Sequence, residues 1–160
     1  MERVNAIINN SDYLKNMNDI RELEQNRKFC GHGSAHCMDV ARIMMLLNEE
    51  ETLNIEKEYI YATALLHDIG RGIQYREGIS HEQAGVSIAS DILNESGFSE
   101  SEIRFIVQAI GQHRDAGIKG EHSLAGILYR ADKLSRACYA CEAEAECDWD
   151  QEKKNKVIQY

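Results

Sequence analysis

The stretch Ile60–Arg71, which reads IYATALLHDIGR, decides how the fold of this chain is interpreted. Its first seven residues (60–66) form an apolar run of the kind that a buried helix carries. His67 and Asp68 follow this run directly and stand just before Gly70. Both side chains are potential metal ligands, and the helix delivers them toward the interior. A single His-Asp pair is a weak signal, because short motifs arise by chance and gain meaning from their structural context.

The regions on both sides of this stretch favour helices over strands. The chain has no proline, and aromatic residues make up only 7% of it, whereas strands are enriched in aromatic residues. Ser11, Asn54 and Ser80 stand where helix N-caps are expected, and Ser99 with Glu102 forms the sequence of a capping box. The pattern predicts an all-α fold, in the form of a single compact irregular bundle of six to seven helices.

The length of 160 residues fits one hydrophobic core. We expect residues 1–29 to form an N-terminal helical extension packed on that core, and residues 30–136 to form the functional core itself. Residues 137–160 are rich in cysteine and acidic side chains and are predicted to be a C-terminal segment of the same domain. The acidic tail from Cys141 is predicted to fold as a short last helix.

The overall charge narrows the class of partner. The formal net charge is -9, with 27 acidic against 18 basic residues, which opposes binding to a nucleic-acid polymer or an anionic membrane. No signal-peptide core and no run of 18 apolar residues occur, so we expect a cytoplasmic protein. The sequence does not indicate an oligomeric state.

Two further residues join His67 and Asp68 as candidate ligands. His36 lies on an earlier helix in the register of Ile43, so it faces inward. Asp132 lies on a later helix between apolar positions. A carboxylate buried there would cost on the order of several kcal/mol unless it were paired or bound to a cation.

The motifs around these residues resemble the HD-domain superfamily of metal-dependent phosphohydrolases, which is named for its His-Asp pair. The matching segments are GSAHCMDVA (33–41), LLHDIGR (65–71) and ADKL (131–134). The resemblance covers roughly residues 30 to 136. It implies a helical bundle in which four residues bind one divalent metal: His36, His67, Asp68 and Asp132.

The donor set itself is informative about the metal. Two imidazoles and two carboxylates suit a transition metal, namely Mn, Fe, Co, Ni or Zn. Magnesium is less favoured, because it prefers a shell made of oxygen ligands.

Two other histidines resemble ligands of a second metal. One branch of the superfamily has two-metal sites and includes HD-GYP-type phosphodiesterases and symmetrical diadenosine tetraphosphate hydrolases. In that branch, histidines in the same two intervals of the sequence as His81 and His113 help to hold the second ion. The resemblance implies that His81 and His113 do so here, with Asp68 as the bridge. The alternative is that they donate hydrogen bonds to phosphate or cap helices.

The sequence departs from that branch in two ways. The neighbours of His113 are Gln112 and Arg114, where those families commonly carry additional histidines. The glycine-tyrosine-proline signature cannot occur in a chain without proline, which disfavours cyclic-dinucleotide hydrolysis of that kind.

Three basic residues near these motifs are candidates for binding a phosphate group. Arg71 follows the His-Asp pair by three residues, and its guanidinium can form a bidentate contact with phosphate. Lys133 is adjacent to Asp132, and Arg114 is adjacent to His113. A solvated surface charge is the alternative for each of them. His32 is expected in a loop and His122 at the exposed surface.

Taken together, these residues favour an HD-superfamily metal-dependent phosphohydrolase. The expected substrate is a small phosphorylated molecule, a phosphomonoester or phosphodiester and in particular a nucleotide, cleaved by a metal-activated water. Asp68 would orient or deprotonate that water, and Arg71 would neutralise phosphate charge. Two alternatives stay open. One is a non-catalytic nucleotide or metal sensor on the same scaffold, and the other is a di-iron oxygenase of the HD fold.

The cysteines are a separate feature. The chain has five of them, an odd number, which indicates reduced thiols or metal ligands rather than a disulfide framework. Cys138, Cys141 and Cys147 have the spacing C-x2-C-x5-C, which suits three ligands of a zinc or iron–sulfur site, with Cys30 or Cys37 as a possible fourth. Partly buried thiols without a metal are the alternative.

Overall fold

The computed structural model describes residues 1–160 and contains only helices, turns and loops. Seven α-helices have eight or more residues, and one is shorter. Their bounds are α1 (Glu2–Asn9), α2 (Ser11–Leu23), α3 (Ser34–Glu50), α4 (Lys57–Leu66), α5 (Arg71–Glu77), α6 (His81–Glu95), α7 (Glu100–Gln112) and α8 (Leu124–Leu134). The predicted all-α fold is therefore confirmed. No helix combines the length and the apolar character that crossing a bilayer would require.

Helix α4 lies at the centre of the bundle, between two hydrophobic clusters. Leu65 and Leu66 pack into a cluster with side chains of α1, α2, α6 and α7. Ile60 and Ala64 pack into a second cluster, formed mainly with α3 and α8. Because α4 is apolar on both sides, its C-terminal end, where His67 follows, is fixed deep in the molecule.

The structure confirms some of the N-caps that were predicted from the sequence and not others. Ser99 caps α7 as predicted: its backbone N–H donates to Glu102 (2.6 Å), and its hydroxyl accepts from the Glu102 N–H (3.5 Å). At the start of α2 the prediction was wrong by one residue, because Asn10 rather than Ser11 is the cap. The Asn10 side-chain oxygen accepts from the backbone of Asp12 (2.8 Å) and Tyr13 (3.1 Å).

Two other predicted caps do not form. Ser80 occupies the N-cap position of α6, but its hydroxyl accepts no bond from the helix and is buried without a partner. Asn54 lies two residues before the N-cap of α4, which is Glu56, and has a left-handed backbone with φ of 57°. Asparagine tolerates this conformation, so its role is in the turn and not at the helix end.

The predicted helix from Cys141 is also absent. The tail after α8 contains three short 3-10 turns instead: Cys138–Ala140, Glu144–Glu146 and Gln151–Lys153. Ala143 is the only apolar residue of 138–160 that is buried, so the tail has no amphipathic stripe with which a helix would pack. It is held to the bundle by polar contacts, including the Asn155 amide, which donates to the carbonyls of Lys133 (2.7 Å) and Arg136 (2.8 Å).

A glycine brings α6 close to the end of α4. A Cβ placed on Gly70 would lie 2.3 Å from the carbonyl oxygen of His81 and 2.6 Å from the backbone nitrogen of Gly85. Only a residue without a side chain fits this contact. The close approach places His81, the first residue of α6, beside the His-Asp pair.

Candidate metal centre

The His-Asp pair lies at the C-terminal end of α4 and is almost completely buried. The His67 Nδ1–H donates to the carbonyl of Ala64 (2.8 Å), which leaves Nε2 as the ring nitrogen available to a ligand. That nitrogen faces Asp68, with 3.0 Å between His67 Nε2 and Asp68 Oδ2. Neither of these two atoms has a hydrogen-bond partner, although both are buried.

His36 on α3 and Asp132 on α8 complete the first group of ligands. His36 Nε2 lies 3.3 Å from Asp132 Oδ1 and 3.6 Å from Asp68 Oδ2. The ring is oriented by Ser135, whose hydroxyl donates to the Asp132 carbonyl (2.8 Å) and accepts from His36 Nδ1 (3.2 Å). Together with the His-Asp pair, His36 and Asp132 make up the four predicted residues. One ligand atom from each of the four lies within 4.8 Å of the ligand atoms of the other three.

A second group of possible ligands contains Asp68, His81 and His113, again with ligand atoms within 4.8 Å of one another. The Nδ1 of His81 donates to Gln74 Oε1 (2.6 Å), and the Nδ1 of His113 donates to the Ile110 carbonyl (2.6 Å). Both rings therefore present an Nε2 lone pair. The structure thus brings together all six residues predicted as metal ligands.

The two Nε2 atoms of the second group provide a test of whether a metal fits. They lie only 3.0 Å apart, and His81 Nε2 is 3.1 Å from Asp68 Oδ1. Burial lowers the pKa of His81 to about 2 and the pKa of His113 to about 4, so neither ring holds a second proton near neutral pH. Two facing lone pairs repel each other unless a cation lies between them. The donor set therefore fits a divalent metal, as imidazole nitrogens fixed by their other N–H commonly do.

Asp68 is shared by both groups. Burial alone would raise its pKa, but the neighbouring His67 and His36 and the charge of Arg71 hold the pKa well below the usual range. The carboxylate is therefore ionised and presents Oδ2 to the first group and Oδ1 to the second. This is the arrangement that a bridging carboxylate requires.

A cavity with a volume of about 450 Å³ lies beside the two groups of ligands. The three basic residues predicted to bind phosphate line this cavity. Arg71 donates from Nε to Asp68 Oδ1 (2.9 Å), so it also orients the shared carboxylate. Lys133 Nζ lies 3.0 Å from Asp132 Oδ2 and 4.0 Å above the Tyr129 ring. Arg114 lines the cavity without an ion pair of its own.

Arg136 was not predicted as a site residue, although it lies four residues after Asp132 at the end of the same helical register. Its buried guanidinium donates to His36 Nε2 (2.9 Å), to Asp132 Oδ1 (3.3 Å) and to the carbonyl of Gly31 (2.9 Å). The position in front of His36 Nε2 thus accommodates positive charge, as the position of a metal must.

The remaining histidines lie where they were expected. His32 is in the loop before α3, but it is buried, because its backbone N–H and Nδ1 both bind the Glu24 carboxylate. The Tyr75 hydroxyl donates to the same carboxylate (2.5 Å). His122 is exposed and pairs with Glu51 at 2.8 Å.

The HD domain family model matches residues 33–137, which include both groups of ligands. This chain belongs to the HD-domain family. The matched range includes all three motifs that suggested the resemblance.

Two relatives match this chain over all or most of its length. An uncharacterized protein of Clostridium beijerinckii is 45% identical over 160 residues, which is the full length of both chains. Ribonuclease Y 1 of Pediococcus pentosaceus is 30% identical over 104 residues, which are 64% of this chain but only 18% of that protein. The chain therefore corresponds to a small part of ribonuclease Y.

A solved structure shows the same HD fold. The crystal structure of a predicted HD superfamily hydrolase from an uncultured Thermotogales bacterium superimposes with a TM-score of 0.62. The match covers 88% of this chain and 80% of the other, at 23% sequence identity. At this identity the likeness shows the fold alone.

Proposed function

We propose that this protein is a metal-dependent phosphohydrolase that cleaves a phosphomonoester or phosphodiester in a small molecule, with a nucleotide as the expected substrate. The observation that carries the proposal is the pair of ligand groups that share Asp68. Their members Asp132, His81 and His113 line a cavity that arginine and lysine side chains also line. Membership of the HD family supports a hydrolytic reaction, and so does the name of the relative ribonuclease Y 1.

The residues of the chain divide into two ligand sets. His36, His67, Asp68 and Asp132 would hold one divalent ion, and His81 and His113 would hold a second one together with Asp68. A bound divalent ion supplies two kinds of chemistry here, because it lowers the pKa of a water molecule and polarises a phosphoryl oxygen. Imidazole-rich donors favour Mn, Fe, Co, Ni or Zn over Mg.

Asp68 would also orient the attacking water. Its carboxylate is ionised, and Arg71 and the surrounding histidines fix the positions of its two oxygens. A carboxylate held in this way accepts a hydrogen bond from the water and directs its lone pair toward phosphorus.

The cavity supplies the charge that a phosphate group needs. Arg71, Arg114, Lys133 and Arg136 all line it, although the whole chain carries a net charge of -9. The volume of about 450 Å³ lies within the range that accommodates a small ligand of nucleotide size. The basic lining and the size together favour a small phosphorylated molecule over a polymer.

The test is hydrolysis of a panel of nucleotides by the wild-type protein with added Mn, Co, Ni, Zn or Mg, and an RNA oligomer as a further arm. We expect phosphate release with a transition metal, and a loss of at least about 1,000-fold in Asp68→Ala because the shared ligand is removed. Asp39→Ala is the matched control, since Asp39 is an exposed aspartate on α3 that pairs with Arg42 (3.1 Å). It should keep full activity.

Other outcomes would contradict the proposed function or favour one of its alternatives. Full turnover in Asp68→Ala would contradict the assignment, and hydrolysis of the RNA oligomer alone would contradict a small substrate. Stoichiometric metal binding without hydrolysis of any panel member would favour the sensor on the same scaffold. Two irons per chain with oxygen consumption would favour the di-iron oxygenase.

A further inference from the structure

Four of the five cysteines line the cavity beside the metal centre. They are Cys30, Cys138, Cys141 and Cys147. Cys30 lies in the loop between α2 and α3, and the other three lie in the tail after α8. The fifth, Cys37, is buried in the hydrophobic cluster around α4 and takes no part in the lining.

We propose that Cys30, Cys138, Cys141 and Cys147 form a further metal site, separate from the His/Asp centre, in which four thiolates bind an iron–sulfur cluster or a zinc ion. A tetrathiolate shell is common to structural zinc sites and to iron–sulfur clusters. Three ligands with close spacing and a fourth from a distant segment are sufficient for such a shell. The structure supplies the distant ligand, because it folds the tail back onto the loop that carries Cys30.

Buried positive charge surrounds these thiols. Lys154 exposes only 3% of its side chain, and its ammonium donates to the carbonyl and the carboxylate of Glu144. Both Lys154 and the buried Arg136 line the cavity together with the four cysteines. Four thiolates around a divalent ion or a cluster carry net negative charge, and nearby cations compensate for it in a partly buried site.

The tail also lacks the packing that would otherwise hold it in place. Ala143 is its only buried apolar residue, whereas Val157 and Ile158 point into solvent. Segments that are too small to form a core are commonly stabilised by a metal, whose binding energy becomes folding energy. A cross-link between three tail cysteines and Cys30 would anchor the tail beside the catalytic cavity.

The thiols are too far apart in this structure for three of them to bind one zinc ion, which leaves the cluster as the favoured occupant. Thiolates on one tetrahedral zinc are about 3.8 Å apart, since each Zn–S bond is about 2.3 Å long. No group of three possible ligands within 4.8 Å contains a cysteine. A cluster accepts a wider spacing because its cysteines bind separate iron atoms.

The test is elemental analysis of the full-length protein, purified without oxygen and without chelators, for iron, zinc and acid-labile sulfide. Wild type is compared with the double variant Cys138→Ala/Cys141→Ala, and Cys37→Ala is the matched control. We expect the double variant to lose either about four irons with their sulfide and the broad visible absorbance, or about one zinc, per chain. Cys37→Ala and Asp68→Ala should both retain the iron and sulfide, or the zinc, that the double variant loses.

Equal metal content in the double variant and in Cys37→Ala would overturn the proposal. Because the readout is metal content, it is independent of phosphohydrolase activity. Loss of the cysteine-bound metal with nucleotide hydrolysis unchanged would still support this site.

A second measurement covers the case in which the double variant does not fold. Native alkylation of the wild-type protein, mapped by mass spectrometry, reports on each thiol. The four half-exposed cysteines of the site should react about tenfold or more slowly as purified than after treatment with a chelator and an oxidant of iron, followed by reduction of the released thiols. Rapid alkylation of all four as purified, or a disulfide between any two, would overturn the proposal.

Discussion

Asp68 is the residue on which the candidate centre depends. It is buried, ionised and in contact with His36, His67, His81 and Arg71. Removing one partner from a network of this kind leaves the other buried charges and lone pairs without compensation. The effect of Asp68→Ala should therefore be much larger than that of any one surrounding cation.

At the residue scale, much of this centre could be predicted from the sequence. His67 and Asp68 follow an apolar helix, and His36 and Asp132 sit among apolar positions, so each signals a buried polar group. Arg136 carries no comparable signal, because an arginine at the end of a helix is usually a solvated charge. Its contacts with His36 and Gly31 depend on how the loop before α3 folds back, which local sequence does not specify.

Glu24 provides a pH-dependent prediction outside the centre. Burial would raise the pKa of Glu24, but hydrogen bonds from His32 and Tyr75 lower it from 4.5 to about 2. The stabilisation is therefore fully present above about pH 4.5 and is lost as the pH falls toward 2. In urea unfolding, Glu24→Gln should reduce the free energy of unfolding by about 2 kcal/mol at pH 7 and by much less at pH 2.5.

The matched control for this prediction is Glu22→Gln, an exposed glutamate on the same helix, which should have little effect at either pH. A Glu24→Gln effect that is equal at pH 7 and pH 2.5 would show that the charge of Glu24 does not contribute to stability.

At the scale of the elements, the contact between Gly70 and α6 controls where His81 lies. Gly70→Ala should destabilise the protein by about 1–3 kcal/mol, because the new methyl group meets backbone atoms that cannot move aside easily. It should also weaken binding of the second metal, since the start of α6 must shift. Thermal unfolding and a metal titration by calorimetry measure the two effects.

Gly120→Ala is the control for that substitution. A Cβ at Gly120 meets nothing within 4 Å and the backbone is not left-handed, so this variant should unfold at or slightly above the wild-type temperature. If Gly70→Ala behaved in the same way as Gly120→Ala, the close approach of α6 to the end of α4 would not constrain the site.

The element scale also shows why some sequence patterns succeed and others fail. Ser99 forms its capping box because Glu102 reaches back to the N-cap, whereas the Ser80 hydroxyl stays without a partner at a helix start that is buried against Gly70. Tertiary contact thus replaces the local cap. The prediction of a helix in the tail after α8 failed for a different reason. The acidic residues of the tail do not provide an apolar face with which a helix could pack.

At the scale of the whole molecule, the acidic net charge and the basic cavity are complementary features. A net charge of -9 disfavours polyanions at the surface, while Arg71, Arg114, Lys133 and Arg136 create a local site for a small anion. The net charge follows directly from the sequence, and the class of fold was predicted from it. It did not reveal that the tail lines one side of the cavity, because the tail contacts residues more than 100 positions away, as in the ion pair between Lys28 and Glu146.

The position of bound metal is what the proposed function requires above all, and crystals grown with Mn²⁺ would locate the metal by anomalous diffraction. We predict one strong peak bounded by His36, His67, Asp68 and Asp132, and a second peak between Asp68, His81 and His113. Crystals without any peak between His36, His67, Asp68 and Asp132, while these side chains keep their positions, would show that the four residues do not form a metal centre.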